Sequence, residues 1–235
     1  MSGKCDEIYP DKEKDLATFL RGIAAGLGIC ILFALLCLSF YLHGYFHLAN
    51  ETMLEALQSV MLLLTIGMGA RLVLLLPLER GGLLVITSLF VCMLIREHDF
   101  LLNTKSFPGW EILVLAVLLL LAWQVRKLGA KSTLGGLASF IRSSACPLML
   151  CGLGVLLVFS RLFGWSGLWV FFTDSREELV RVKRMAEECT ETLGYALIML
   201  AMLCYYLNRR REVLNERHNE QKSPEEDIEQ ARRMS

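Results

Sequence analysis

The sequence has no excess of charge of either sign. Its 24 lysine and arginine residues balance 24 aspartate and glutamate residues. That balance removes the electrostatic footprint expected of a nucleic-acid-binding chain. There is no CxxC pair and no zinc-ribbon spacing among the eight cysteines, which are scattered singly from Cys5 to Cys204. They read as reduced thiols packed as small hydrophobes. No glycine-rich nucleotide loop, GxSxG elbow or HExxH helix occurs, so three common catalytic signatures are missing. No internal repeat of the transporter kind is visible. The first eighteen residues carry Lys4, Asp6, Glu7, Asp11, Lys12, Glu13, Lys14 and Asp15 rather than a short basic segment. The apolar run after them is therefore expected to be a retained helix and not a cleaved signal.

What the chain has instead is long apolar runs. Of its 235 residues, 54% are hydrophobic, and mean hydropathy is positive. A helix needs about 20 apolar residues to cross a hydrocarbon core roughly 30 Å thick. Six runs approach that length: residues 22–42, 52–76, 83–102, 110–125, 146–163 and 188–207. They predict an all-α integral membrane protein, a bundle of six transmembrane helices spanning 22–208. Residues 1–21 form an N-terminal segment and residues 209–235 a charged tail with a break at Ser223-Pro224. The first run holds Gly22, Ala24, Gly26 and Gly28, small residues that let membrane helices approach closely. The stretch from Arg126 to Ser144 reads as a polar connection, and Gly81-Gly82 and Gly135-Gly136 as loop glycines. Residues 164–172 are too short to span and suit an interfacial or re-entrant segment, with Trp165 and Trp169 as belt residues. From Asp174 onward a charged amphipathic stretch extends the last helix at its outer end.

Loop charge gives orientation. With both termini on one side, that side holds 17 of the 24 basic residues. The positive-inside rule then places both termini in the cytoplasm. Short loops and small size suit the cytoplasmic (inner) membrane of a bacterium.

Depth along each run comes from a rise of about 1.5 Å per residue. Counting from the basic ends, polar groups collect at the opposite, outer ends. These are Glu55 and Gln58 in the second run, Arg96, Glu97 and Asp99 in the third, Ser160 and Arg161 in the fifth, and Glu188 and Glu191 in the sixth. On the basic side Arg71 is the outlier, and arginine near a helix end can snorkel. Ionisable groups inside a membrane are expensive and are paired, cavity-facing or functional. Three chemistries fit. The first is a polar pocket that binds a lipid, small ligand or partner for sensing or assembly. The second is a transporter or proton- or cation-coupled component using the outer carboxylates. The third is a metal-dependent intramembrane hydrolase. In it His43, His47 and His98 would hold zinc and Ser160 would lie nearby. The first two need no enzyme, and the sequence leans that way, with no cofactor required beyond zinc in the third. Expected partners are the bilayer, a second copy of the chain or another membrane protein.

Overall fold

A chain in hydrocarbon must satisfy its own backbone hydrogen bonds, and an α-helix does so within one segment. The computed structural model obeys this rule. It describes Leu27 and residues 52–99, 103–104, 107–171 and 175–233, with side chains for Leu27, 54–99, 109–171 and 175–216. The chain divides into two units, Met1–Asn50 and Glu51–Ser235, and the helical bundle is built from the second. The expected first span, 22–42, lies outside the described residues apart from Leu27.

The elements are α1 (Thr52–Leu75), a 3-10 turn (Pro77–Glu79), α2 (Arg80–Glu97), α3 (Gly109–Leu128), α4 (Ala130–Arg142) and α5 (Ala145–Gly154). A π-helical turn (Val155–Phe159), α6 (Ser160–Phe163), α7 (Ser166–Trp169) and α8 (Arg176–Arg233) complete them. A two-residue antiparallel ladder, Asn103–Thr104 with Phe107–Pro108, joins α2 to α3. The protein is thus helical, and four stretches are long and apolar enough to cross a membrane: Leu54–Leu75, Pro77–Glu97, Ala145–Phe163 and Arg176–Glu216. The pair α3–α4 adds a fifth if it forms one span.

The turn after α1 shows how the sequence forces a reversal. Pro77 has no N–H, so the carbonyl of Val73, four residues earlier, loses its helical donor. Arg80 Nε takes that carbonyl at 3.0 Å. The chain then reverses through the 3-10 turn, and α2 packs back along α1.

Residues 126–144 are not a loop. They hold the end of α3 and all of α4, which meet at 107°. Gly129 makes the corner at φ 84, a left-handed conformation that costs glycine little. Once past it, α4 is amphipathic: Thr133, Gly136 and Phe140 are buried, while Leu134, Ile141, Lys131 and Arg142 are exposed. The glycine pairs are not loop glycines either. Gly81, Gly82 and Gly136 are buried inside helices where α2 crosses α4. A Cβ on Gly82 would collide with the backbone of Gly136 and Leu137. Backbone meets backbone there, and Ser132 Oγ accepts the Gly81 N–H at 3.1 Å.

Lipid tails are as apolar as leucine, so close packing and polar bonds hold such helices together. Helices α5 and α8 meet through a second glycine pair. A Cβ on Gly152 would lie 2.9 Å from Ile198, and one on Gly194 would lie 2.9 Å from Leu156. At the basic end Phe140 meets Tyr205 edge to face, with centroids 5.0 Å apart. Arg209 bridges Glu79 and Glu212 there, each at 2.5 Å. Helix α8 carries the largest share of buried side chains, among them Tyr195, Ile198, Met202 and Tyr205. It continues without interruption through the charged tail, past Ser223-Pro224 where a break was expected. A proline removes one helical bond and can kink a helix without ending it.

Residues 164–171 fold locally around α7. Trp169 Nε1 donates to the Phe163 carbonyl at 2.7 Å, and the two rings lie 6.2 Å apart. Trp165 and Phe171 remain exposed.

Candidate functional site

At the end opposite α4, polar side chains from three elements close on one face of α8. Glu188, Glu191, Thr192 and Tyr195 share that face because residues three and four apart are neighbours on a helix. Three helices supply their partners, and Glu188 and Thr192 share one.

From α1, the wholly buried Gln58 reaches across. Its Nε2 lies 2.9 Å from Thr192 Oγ1, 3.2 Å from Glu188 Oε2 and 3.4 Å from the Glu188 carbonyl. Thr192 spends its own proton on that carbonyl, at 2.8 Å, so its oxygen is free to accept from Gln58. The other end of the amide is different. Gln58 Oε1 is buried and accepts from no donor among the described residues.

From α2, Glu97 accepts a hydrogen bond from the Tyr195 hydroxyl. Its neighbour His98 is held at both ring nitrogens: Nδ1 lies 3.1 Å from the Leu94 carbonyl, and Nε2 lies 3.4 Å from Ser59 Oγ.

From α6, Ser160 and Arg161 converge on Glu191. Arg161 lies 3.1 Å from Glu191 Oε1 and 3.4 Å from Glu187 Oε1. Ser160 Oγ is 2.7 Å from the Leu156 carbonyl and 3.2 Å from Glu191 Oε1. One hydroxyl has one proton, so it serves one of these acceptors at a time. The π-turn makes this convergence possible. In an α-helix a step of four residues overshoots one turn by about 40°. Two such steps would carry Ser160 off the α8-facing side set by Gly152 and Leu156. The wider turn, closed by the Ser160 N–H on the Val155 carbonyl, absorbs the drift. Gly152, Leu156 and Ser160 all end up buried.

The nine expected site residues therefore separate. Gln58, Glu97, Ser160, Arg161, Glu188 and Glu191 enter the hydrogen-bonded cluster. Glu55, Arg96 and Asp99 are exposed at its margin. Arg96 is near enough for its charge to reach Tyr195, and Glu97 near enough to act on both Glu188 and Glu191. Glu187, Thr192 and Tyr195 belong to the cluster although depth counting did not select them. The signal that could have found the last two is their place four residues after Glu188 and Glu191 on the same face. Glu187 and Glu191 thus pair with Arg161, while Glu188 and Glu97 are met by Gln58 and Tyr195.

The zinc site is not assembled among the described residues: they contain no group of three histidine, cysteine, aspartate or glutamate side chains placed to hold a metal. His43 and His47 lie outside the described residues. No family model, no curated protein and no solved structure matches this chain, so its own residues carry the functional reading.

Proposed function

We propose that the chain is a membrane-embedded binding protein whose outer polar cluster takes up a cationic or hydrogen-bond-donating group from a small ligand or a protein partner. One observation carries this reading. Gln58 Oε1 is a buried acceptor with no donor among the described residues, beside the half-buried Glu188 carboxylate. A buried acceptor left unpaired costs about 1–3 kcal/mol. A cationic donor beside Gln58 and Glu188 recovers that energy and faces the Glu188 carboxylate. An ammonium group suits the place, since it offers three donors and no acceptor. The reading keeps the six-span bundle in a bacterial inner membrane with both termini cytoplasmic, on the strength of loop charge.

A second reading, a proton- or cation-coupled transporter, is favoured by the π-turn that delivers Ser160 and Arg161. Such turns recur at functional sites. Flux in proteoliposomes that disappears in Glu191→Gln would select it. Ser160 and His98, on which an intramembrane hydrolase would draw, bond to different partners.

The binding reading is tested by thermal unfolding of purified protein in detergent with sodium, calcium, methylammonium or putrescine. Saturating a site at roughly 100 times its Kd adds about 2.7 kcal/mol to stability. One of these ions should raise the midpoint, and Glu188→Gln should abolish the rise. No rise with any of them, or a rise retained in both Glu188→Gln and Gln58→Met, refutes the proposal.

A further inference from the structure

A second feature lies at the other end of the bundle. Helices α1 and α8 run parallel, since Gln58 meets Glu188 and Thr192 at one end while Leu75 and Arg210 line a common cavity at the other. That cavity has a volume of about 730 Å³, within the roughly 300–1,000 Å³ usual for ligand sites. Its wall is apolar, from Leu63, Leu64, Gly67 and Met68 on α1. Its charges are two arginines, Arg71 from α1 and Arg210 from α8, and no carboxylate lines it.

These arginines differ from their neighbour. Arg209 is paired through both terminal nitrogens, with Glu79 and Glu212. Arg71 and Arg210 are exposed and form no ion pair among the described residues. One arginine at a helix end needs no explanation, because it can snorkel. Two from different helices, on one groove without a counter-charge, leave a positive site open. The groove also has direction. Leu63 lies eight residues before Arg71, about 12 Å deeper along the helix. Half of a hydrocarbon core is about 15 Å, so the apolar wall descends through most of one leaflet. Gly67 leaves its floor open: a Cβ there would meet nothing within 4 Å.

We infer that this groove is a binding site for an anionic phospholipid. The headgroup phosphate pairs with the Arg71 and Arg210 guanidinium groups, and an acyl chain lies along Leu63, Leu64, Gly67 and Met68. A guanidinium fork matches phosphate oxygens two at a time. The apolar descent supplies the place for the chain, which a free phosphate ion would leave empty. This site is separate from the acidic cluster and stands or falls independently of it.

Native mass spectrometry of the full chain in detergent tests the inference, with phosphatidylglycerol and phosphatidylcholine of identical acyl chains as probes. Phosphatidylglycerol should be retained at one molecule per chain, at a lipid concentration at least tenfold below that needed for phosphatidylcholine. Joint Arg71→Gln and Arg210→Gln substitution should erase that preference. Gly67→Trp fills the groove floor without touching the charges, and it should lower retention of both lipids. Equal retention of the two lipids by the unsubstituted protein overturns the inference. So does a preference that survives the double arginine substitution, which would move the site to Arg126, Lys127, Lys131 and Arg142. If the double substitution blocks folding, Gly67→Trp decides alone, and unchanged retention there overturns the inference.

Discussion

Replacing Arg161 with methionine should cost more stability than replacing Glu191 with glutamine, although both changes break the same 3.1 Å ion pair. The reason is the uneven burial of the two partners. The Arg161 side chain is 49% exposed and that of Glu191 is 11% exposed. When both partners are buried, removing one costs about 3–5 kcal/mol, because a charge is left without compensation. When both are exposed, the whole pair is worth about 0.2–1 kcal/mol. Arg161→Met strands the buried partner, and strips Glu187 as well. Its cost should therefore fall between those limits, about 2–3 kcal/mol. Glu191→Gln leaves an arginine that already reaches solvent, and the new amide can still meet Ser160. Its cost should sit near the exposed limit, about 1 kcal/mol. In the double variant no buried carboxylate at position 191 is stranded, so the two costs should fall short of additive by about 1–2 kcal/mol. Unfolding of the detergent-solubilised protein with sodium dodecyl sulfate, monitored by tryptophan fluorescence, measures all three values. Equal costs for the single variants, or full additivity in the double, would show that burial does not set the value of this pair.

The two classes of glycine give a second test. Gly82→Ala should destabilise by about 2–3 kcal/mol, since the added carbon meets backbone that cannot swing aside. Gly67→Ala, with open space around it, should be neutral or stabilise by about 0.5–1 kcal/mol; similar losses at both positions in the same unfolding assay would dismiss the close crossing of α2 and α4. Tyr195→Phe removes a hydrogen bond to the Glu97 carboxylate and should cost about 1.5–3 kcal/mol. Adding Glu97→Gln should then cost little more, and independent losses from the two changes would count against a shared bond.

Depth was legible in the sequence because it is one-dimensional. Counting residues from the charged loop ends places nine polar residues at one level, and six of them hydrogen-bond in the structure, Gln58 to Glu188, Ser160 and Arg161 to Glu191, and Glu97 to Tyr195. Azimuth was not legible, because it depends on which faces pack. Arg96 and Glu97 are adjacent in sequence, yet one is exposed and the other bonds Tyr195. The π-turn left no mark in Val155–Phe159, an ordinary apolar run. Helix α4 was hidden for another reason. Its lysine, arginine, serine and glycine content resembles a loop, and its helicity rests on packing of Thr133 and Gly136 against α2 and of Phe140 against Tyr205. Tertiary contacts of that kind override composition. The glycine pairs at 81–82 and 135–136 read as loop punctuation, although Gly82 and Gly136 mark a backbone-to-backbone crossing of two helices.

Helix α8 has a mechanical consequence. It runs unbroken for 58 residues, about 87 Å of helix, where a bilayer core needs roughly 30 Å. Some 12 residues precede Glu188 and some 25 come after Asn208, giving arms of about 18 Å and 38 Å beyond the apolar stretch. Helix α8 is then a lever whose fulcrum is the glycine contact of Gly152 with Gly194 and the packing around Tyr195. A tilt that moves the short arm by one ångström moves the far end of the long arm by about two. A tilt imposed at the acidic end is thereby carried to the charged tail at the other end of the helix.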